Sequence, residues 1–491
     1  MKKKKAIVIG SGFAGFSAAI SLADKNFDVV LLEKNTTVGG RARQFEAAGF
    51  TFDMGPSWYW MPDVFESFFN RFGKKVSDYY DLERLDPSYQ VVYGPEDNMP
   101  IPANMNELEA LFDSIEPGAG LKLRDFLKQA AYKYEVGINK LVYKPGRSLT
   151  EFASLKLLID VIRMDVFKSI SNHVRQYFKN PRIIQLMEFP VLFLGALAEK
   201  TPALYSLMNY ADMSLGTWYP KGGMFKIVEA MESLAKEKGV NILTDHAVTS
   251  INHEGNEVKS VSTTQGDIAC DVVIAGADYH HVDTKLVAPE KRNYSDAYWD
   301  KRVMAPSSLL YYVGLDRKID KVLHHNLFFD TDFGPHASDI YEDPKWPKNP
   351  LFYASVTSKT DHTVAPEEHE NLFLLIPVAP GLEEDDSIRD KYFNIILKRL
   401  EDYAGHEIAP HIVYKRSFAH RDFVSDYNSF KGNAYGLANT LKQTAILKPS
   451  LKSKKLKNLY YTGQLTTPGP GVPPSLISGI VVADEVEKEM R

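Results

Sequence analysis

The sequence is poor in cysteine and in long apolar runs. Cys270 is the only cysteine among 491 residues, so a disulfide within the chain and a redox-active cysteine pair are both excluded. The most apolar stretch, residues 189–198, has about half the length that a membrane-spanning helix needs. The basic residues Lys2–Lys5 precede an apolar run that is too short for a signal peptide. We therefore expect a cytoplasmic protein that is peripherally associated with a membrane and does not cross it.

The sequence also lacks an excess of basic residues. Its formal net charge is −5 at pH 7, which gives no reason to expect a nucleic-acid partner. The 13 histidines are scattered, and the adjacent pairs His280–His281 and His324–His325 direct their side chains differently on a strand or helix. We therefore predict no metal site. With 44% hydrophobic and 25% charged residues, the composition is that of a globular chain large enough for two domains.

The strongest pattern lies at the start of the chain. The apolar run Ala6–Ile9 predicts a buried strand, and Gly10, Gly12 and Gly15 follow it with the spacing G-x-G-x-x-G. A helical pattern and a second apolar strand come next, and Glu33 directly follows that strand. Together these elements predict the βαβ unit that binds the ADP part of a dinucleotide.

Each residue of this unit has a physical task. Gly10 permits the sharp turn out of the strand, Gly12 lets the backbone approach a pyrophosphate, and Gly15 lets helix and strand pack closely. The free N–H groups and the positive dipole end of the helix favour phosphates. Glu33 can accept hydrogen bonds from both ribose hydroxyls, which favours FAD or NAD over NADP. The unit by itself does not choose between FAD and NAD.

Further glycine-rich segments favour FAD. Residues Val38–Ala42 read VGGRA and residues Asp53–Pro56 read DMGP. Both resemble segments of FAD-dependent oxidoreductases of the glutathione-reductase-like type, in which the turn and its arginine touch the cofactor and the D-x-G-P segment runs along the flavin. Near the C-terminus, a strand ending at Gly463 is followed by a loop rich in glycine and proline and by an apolar helix. We interpret that loop as flavin-facing, with the helix N-terminus directed at the flavin ring.

Together with YPKGGM at residues 219–224 and VVIAGAD at residues 272–278, these segments resemble the phytoene-desaturase-type carotenoid desaturases, within the amine-oxidase-like flavoprotein superfamily. The resemblance extends over the whole chain and is closer to the hydroxycarotenoid 3,4-desaturase branch. It implies an FAD-dependent oxidoreductase that desaturates a hydroxylated acyclic or monocyclic carotenoid. In that reaction a hydride goes to flavin N5 and a proton leaves the adjacent carbon. The implied partners are a lipophilic carotenoid, a membrane surface, and oxygen or a quinone as electron acceptor.

The predicted cofactor contacts come from both ends of the chain. They are Gly10, Gly12, Phe13, Ala14, Gly15, Glu33, Lys34, Gly40, Arg41, Gly55, Pro56, Ser57, Val248, Gly276, Asp278, Gly463, Gln464, Gly471, Val472 and Pro473. The family has no strongly identified catalytic acid or base, and the cation that forms along a polyene is delocalised, so no catalytic residue is predicted. The aromatic residues Trp58–Trp60, which follow the D-x-G-P segment, belong to the core or begin an apolar substrate cavity.

Four other functions are compatible with the same segments. Three are enzymatic: a phytoene desaturase, a redox-neutral carotenoid isomerase, and a flavin amine oxidase, which would need an amine site instead of a long apolar tunnel. The fourth is a prenyl-protein-binding module of the same fold without bound flavin. Glu33 and both glycine-rich loops argue against that module.

The predicted fold is α/β and has three parts. A discontinuous Rossmann-like FAD-binding domain comprises residues 1–75, 215–290 and 442–491, and a mixed-sheet substrate domain comprises residues 76–120 and 291–441. A helical subdomain, residues 121–214, is the candidate membrane-contacting lid. Within the substrate domain, residues 330–350 are predicted to form a loop.

The helical subdomain contains the pattern that suggests membrane contact. One apolar helix face is predicted from Ile159, Ile162, Val166, Ile170, Val174 and Tyr177, with a basic complement of Lys156, Arg163, Lys168, Arg175 and Lys179. A surface helix with a solvated charged face explains the same pattern equally well.

Overall fold

The computed structural model describes residues 3–148, 151, 164–166, 168–194 and 197–490. In this part of the chain the strands are β1 (Lys5–Ile9), β2 (Asp28–Leu32), β3 (Gln44–Ala47), β4 (Phe50–Asp53), β5 (Leu82–Arg84), β6 (Tyr89–Gly94), β7 (Asp97–Ile101), β8 (Trp218–Pro220), β9 (Asn241–Leu243), β10 (Val248–Glu254), β11 (Glu257–Thr263), β12 (Gly266–Ala269), β13 (Val272–Ala275), β14 (Ser307–Leu315), β15 (His325–Phe328), β16 (Phe352–Ser355), β17 (Glu370–Val378), β18 (Ile412–Phe418) and β19 (Leu459–Tyr461). The α-helices are α1 (Phe13–Asp24), α2 (Pro62–Asn70), α3 (Met105–Ile115), α4 (Ala119–Val136), α5 (Ile170–Tyr177), α6 (Pro181–Glu188), α7 (Leu207–Met213), α8 (Phe225–Glu237), α9 (Tyr279–His281), α10 (Asp296–Asp300), α11 (Phe333–Tyr341), α12 (Asp386–Ala404), α13 (His420–Tyr427) and α14 (Val472–Met490).

Five parallel strands form the first sheet, in the order β19–β13–β1–β2–β9. Strand β1 lies in the centre, where Ile9 pairs with Ala275 of β13 on one side and with Leu32 of β2 on the other. Both faces of β1 are covered, since Ala6 and Val8 belong to one buried cluster and Ile7 and Ile9 belong to another. This explains why the run is apolar without alternation.

Helix α1 packs against the C-terminal helix α14. Gly479 of α14 permits this close approach, because a Cβ atom at this position would lie 2.5 Å from the Ala14 carbonyl oxygen. The Ser17 hydroxyl donates a hydrogen bond of 2.6 Å to the Leu476 carbonyl across the same contact. The two ends of the chain therefore meet beside the parallel sheet.

The second sheet is mixed and has the order β18–β14–β17–β16–β15–β6–β7. Its neighbouring strands are antiparallel, except for the parallel pair β15 and β6. Helix α12 covers one face, where Ile396 and Leu400 pack with Tyr311 and Leu374. The opposite face of β14 and β17 carries Leu310, Phe373 and Leu375 to the wall of a large cavity.

The predicted loop at residues 330–350 is wrong in part, because this segment contains helix α11. The Asp332 carboxylate caps the helix by accepting a 3.2 Å hydrogen bond from the Gly334 backbone N–H. An aspartate at this position satisfies a backbone donor that would otherwise be free at the helix start.

The apolar helix face predicted in the helical subdomain is interrupted. Asp165 has a φ of 53°, and Ser169 caps a new helix, α5, by accepting a hydrogen bond from Asn172 N. Ile170 and Val174 of that helix are fully buried, so they do not face outward. The predicted face residues Ile159 and Ile162, like Lys156 and Arg163, lie outside the described residues.

The sheets are consistent with the predicted division of the chain. The parallel sheet draws its strands from residues 5–32, 241–275 and 459–461, and the mixed sheet draws its strands from residues 89–101 and 307–418. The domain boundaries themselves stay a prediction. Among the described helices, none combines the length and the apolar character needed to cross a bilayer.

Candidate active site

A cavity of about 690 Å³ begins at the carboxyl ends of β1, β2, β13 and β19. Ligands bind at this edge of parallel α/β sheets. From there the same cavity continues into a space lined by apolar side chains of the helical region, namely Ile138, Leu141, Val142, Met164, Val166, Pro190, Leu204, Leu207 and Met208. Every predicted cofactor-contact residue except Gly15 lines this cavity.

The first glycine motif forms the turn from β1 into α1. Gly10 has a φ of 92°, a conformation that favours glycine. Gly15 lies behind the cavity wall, where a Cβ would be 1.9 Å from the Gly10 carbonyl oxygen. Gly12 precedes α1, and a Cβ added there would meet no protein atom within 4 Å. The free N–H groups at the start of α1 therefore border open space that can receive a phosphate.

Glu33 is buried at the end of β2 and lines the cavity. One carboxylate oxygen accepts hydrogen bonds from the Ser11 backbone N–H at 3.0 Å and the Ser11 hydroxyl at 2.6 Å. The other accepts two hydrogen bonds of 2.9 Å from the backbone and side-chain amides of Asn35. The carboxylate is thus held rigidly beside the glycine turn. Lys34 donates to the Ser425 carbonyl, and Val248 begins β10 on the same stretch of wall.

The second glycine turn lies against the first. The Gly39 N–H donates to the Ser11 carbonyl, and a Cβ at Gly40 would be 3.3 Å from the Cα of Gly12. This contact places Arg41 on the cavity wall. One of its terminal nitrogens donates to the Ser429 hydroxyl at 3.0 Å, and its Nε is buried without a hydrogen-bond partner among the described residues.

Asp278 balances the charge of Arg41 at this end of the cavity. Burial raises the pKa of Asp278, whereas the positive charge of Arg41 and backbone hydrogen bonds lower it. Its carboxylate also caps α9 by accepting a hydrogen bond from His281 N at 3.2 Å. Gly276, two residues earlier, allows β13 to approach the first turn, because a Cβ there would lie 3.1 Å from the Ile9 carbonyl oxygen.

The D-x-G-P segment and the C-terminal loop complete the wall. A Cβ at Gly55 would be 2.3 Å from the Arg41 carbonyl oxygen, so the two segments are in backbone contact. Gly463 has a φ of 111°, and its N–H donates to the Ser478 hydroxyl of α14 at 3.0 Å. Gly471 precedes α14, which begins at Val472. The remaining predicted residues on this wall are Phe13, Ala14, Pro56, Ser57, Gln464 and Pro473.

These features fit a bound dinucleotide. Gly12 leaves space at a helix N-terminus, Arg41 has a buried N–H without a partner among the described residues, and Glu33 lies at the end of the second strand. An anionic pyrophosphate and a ribose are the groups that such donors and acceptors bind. The contact of each individual residue with the cofactor stays a prediction.

Several wall residues were not found from the sequence. Tyr353, Tyr435, Asn439 and Thr444 line the cavity, although they belong to no recognisable motif. Tyr353 belongs to strand β16 of the mixed sheet, whereas the other three follow the last strand of that sheet, and the tertiary fold brings all four to the cavity. No signal in the sequence identifies them.

The aromatic run after the D-x-G-P segment divides between the two predicted roles. Trp58 and Trp60 line the cavity, whereas Tyr59 is fully buried in the core. The Trp58 ring stacks on His325 with a centroid distance of 4.2 Å. His325 Nδ1 in turn lies 2.6 Å from the Tyr353 hydroxyl.

Among the described residues, no group of three or more His, Cys, Asp or Glu side chains is arranged to hold a metal ion.

The fold and the cavity define an α/β flavoprotein with a dinucleotide site joined to an apolar chamber. The sequence profile of the family described as flavin containing amine oxidoreductase matches residues 13–487, and the chain belongs to this family. The predictions of an FAD cofactor, an oxidoreductase and a Rossmann-like α/β fold are thereby confirmed.

Several relatives match almost the whole chain, among them two desaturases. The carotenoid 3,4-desaturase of Haloarcula japonica is 42% identical over 485 residues, which cover 98% of this chain and 98% of that protein. The zeta-carotene-forming phytoene desaturase of Myxococcus xanthus is 30% identical over 491 residues, which cover 98% of this chain and 94% of that protein. Among solved structures, an oxidoreductase from Methanosarcina mazei shares the fold with a TM-score of 0.65 and 14% identity, over 98% of this chain and 100% of that one.

Proposed function

We propose that the protein desaturates a carotenoid, and that its reaction is the 3,4-desaturation of a hydroxylated acyclic or monocyclic polyene. The observation that carries this proposal is the continuity of the cavity, which joins the dinucleotide end to a chamber lined by apolar side chains. The two relatives are named for carotenoid 3,4-desaturation and phytoene desaturation, and both names support a polyene substrate. The higher identity to the first relative favours the 3,4 position.

Desaturation removes one hydrogen from each of two adjacent carbons and forms a double bond between them. FAD, when bound, supplies the two-electron acceptor for this chemistry. The residues of the chain have the task of holding the polyene in one orientation and excluding water from it. The flat rings of Trp58, Trp60 and Phe373 on the cavity wall suit that task.

The two tryptophans are held by specific contacts. Trp58 stacks on His325, and burial keeps the pKa of that histidine well below its usual value, so the stacked ring is neutral. Trp60 Nε1 donates a 2.8 Å hydrogen bond to the Thr217 hydroxyl, which lies 3.3 Å from a carboxylate oxygen of Asp212. Fixed aromatic walls of this kind favour a rigid, extended substrate.

The distribution of acids argues against an amine substrate. Among the described residues that line the cavity, the carboxylates are Glu33, Asp278 and Asp426, and all three lie at the dinucleotide end. A cationic amine in the apolar chamber would therefore find no carboxylate partner there, which is costly.

The proposal is tested with purified, FAD-loaded protein. It is incubated with a hydroxylated carotenoid, with phytoene and with a simple amine, each in the presence of oxygen or of a quinone. We expect a product of the hydroxylated carotenoid that has lost two hydrogens by mass spectrometry and absorbs at longer wavelength. A product of unchanged mass would identify an isomerase, and turnover of the amine alone would identify an amine oxidase. Phytoene as the preferred substrate would contradict 3,4-desaturation, and the oxygen and quinone arms identify the electron acceptor.

We propose further that the helical subdomain, residues 121–214, contacts a membrane surface. Its residues line the apolar end of the cavity, and a carotenoid reaches an enzyme from lipid. Leu121 in α4 has 70% of its surface exposed. Replacing Leu121 with Glu should lower liposome binding by about tenfold, the effect of losing one buried leucine. Val413→Glu on β18 is the matched control, because Val413 is 50% exposed but lies on the mixed sheet. Equal flotation of both variants with liposomes would contradict the assignment.

A further inference from the structure

The polar residues Asn439 and Lys448 form a hydrogen-bonded pair at the wall of the cavity. Asn439 lines the cavity, and Lys448 lies behind it with 5% of its surface exposed. The Lys448 ammonium donates a 3.0 Å hydrogen bond to the Asn439 side-chain oxygen. Within the part of the chain that the structure describes, no carboxylate lies within ion-pair distance of Lys448.

This arrangement leaves one donor free. Because the Asn439 oxygen is occupied by Lys448, the asparagine presents its amide N–H₂ group, which has no hydrogen-bond partner among the described residues. This N–H₂ group borders the cavity, where an apolar substrate would leave it without an acceptor and a ligand oxygen would supply one. Thr444 and Tyr205 also line the cavity, and their side chains share a hydrogen bond.

The pair lies beside the glycine- and proline-rich loop of the C-terminal segment. A Cβ added at Gly469 would be 3.2 Å from the Lys448 ammonium and 3.3 Å from the Asn439 oxygen. Pro470 and Gly471, the next two residues, line the part of the cavity where the flavin is predicted to bind, which we call the flavin end. A group bound to Asn439 is therefore held near the flavin end, and not at the far end of the apolar chamber.

We propose that Asn439 binds a hydroxyl group near one end of the polyene substrate, and that Lys448 is the positioning residue that orients Asn439. The hydroxyl oxygen accepts a hydrogen bond from the asparagine N–H₂ group. This contact anchors one end of the polyene and selects a bond close to that end for desaturation. The inference rests on the proposed function, and it adds the residues that distinguish a hydroxylated carotenoid from its parent polyene.

The test compares a hydroxylated carotenoid with the matched polyene that lacks the hydroxyl. The wild-type FAD-loaded enzyme should prefer the hydroxylated substrate in kcat/KM by about 100-fold, because binding the analogue would leave the Asn439 N–H₂ group without an acceptor. Asn439→Leu should reduce that preference to about tenfold or less, mainly by raising KM for the hydroxylated substrate. Lys448→Met should also reduce it, whereas Lys448→Gln, which retains a donor for Asn439, should restore most of it. Lys442→Met replaces an exposed lysine of the same segment and serves as the matched control.

A second measurement separates this inference from the proposed function. Equilibrium binding of the two carotenoids, followed by quenching of tryptophan fluorescence, should show the same preference and the same loss in the variants. If the wild-type enzyme desaturates neither carotenoid, the proposed function fails, while the binding preference still tests the role of Asn439. If Asn439→Leu does not fold, judged by flavin content and melting, Asn439→Ala replaces it. Equal binding of both carotenoids by the wild type, or an undiminished preference in the folded Asn439 variant, would overturn the inference.

Discussion

Replacing Gly12 with valine should separate cofactor binding from folding. Gly12 has φ −69° and ψ 174°, an extended conformation that valine adopts readily. A Cβ at this position meets no protein atom within 4 Å. Since valine is a poorer residue than glycine before a helix, we expect the free energy of unfolding of the apoprotein to fall by only about 1 kcal/mol or less.

The same substitution should strongly weaken FAD binding. The valine side chain would fill the space in front of the α1 N-terminus, where the pyrophosphate is expected. Loss of two charge-assisted N–H hydrogen bonds to phosphate costs about 3 to 6 kcal/mol, which raises the dissociation constant about 10²- to 10⁴-fold. Gly15→Ala is the contrasting variant, because its Cβ would lie 1.9 Å from a backbone carbonyl oxygen. We expect that variant to destabilise the apoprotein itself by about 3 kcal/mol or more.

Two assays distinguish these effects. Urea unfolding of the apoproteins, followed by circular dichroism, measures stability, and titration with FAD, followed by flavin fluorescence, measures affinity. The expected result is a stable Gly12→Val apoprotein with little affinity for FAD and an unstable Gly15→Ala apoprotein. Wild-type affinity for FAD in Gly12→Val would refute the assignment of the pyrophosphate site. An unfolded Gly12→Val apoprotein would refute the inference that the space beside Gly12 can hold a side chain.

The remaining predictions concern three buried side chains. Glu33→Ala should lower FAD occupancy and also destabilise the apoprotein by about 1 to 3 kcal/mol, since the Ser11 and Asn35 donors lose their acceptor; unchanged flavin content would exclude a ribose contact. Burial lowers the pKa of Lys448 from 10.5 to about 8, so the folded chain binds fewer protons than the unfolded chain between these values. The free energy of unfolding should therefore rise with pH across that window by about 3 kcal/mol relative to Lys448→Met, and a pH-independent difference would contradict this. Burial raises the pKa of Asp212 from 3.8 to about 7, so the folded chain binds more protons than the unfolded chain between these values. The contribution of protonated Asp212 to the free energy of unfolding is therefore present at low pH and is lost as pH rises through about 7. Asp212→Asn should remove a pH dependence of about 4 kcal/mol in urea unfolding between pH 4 and pH 7, whereas identical pH profiles would show that the carboxyl is not protonated there.

The structure agrees with the predictions that depended on residues close together along the chain. The buried strand Ala6–Ile9, the turn at Gly10 and the helix after it lie within a few residues of one another, and each has a pattern that packing does not override. The helix at Phe333–Tyr341 was missed because its pattern is weak and its start depends on the cap at Asp332. The apolar face of the helical subdomain was misjudged because a periodic pattern does not reveal the turn at Asp165.

The dinucleotide-binding unit, the FAD cofactor and the contribution of both chain ends to the cavity could be predicted from the residue pattern alone, since glycine spacing and a terminal acid are short-range signals with a backbone cause. The groups that the cavity presents to a substrate could be identified only after the chain was seen folded. The hydrogen bond from Lys448 to Asn439, and their position against Gly469, depend on the folding of separate loops onto one another. Contacts of this kind impose no pattern on the neighbouring sequence, because each side chain needs only its partner in space.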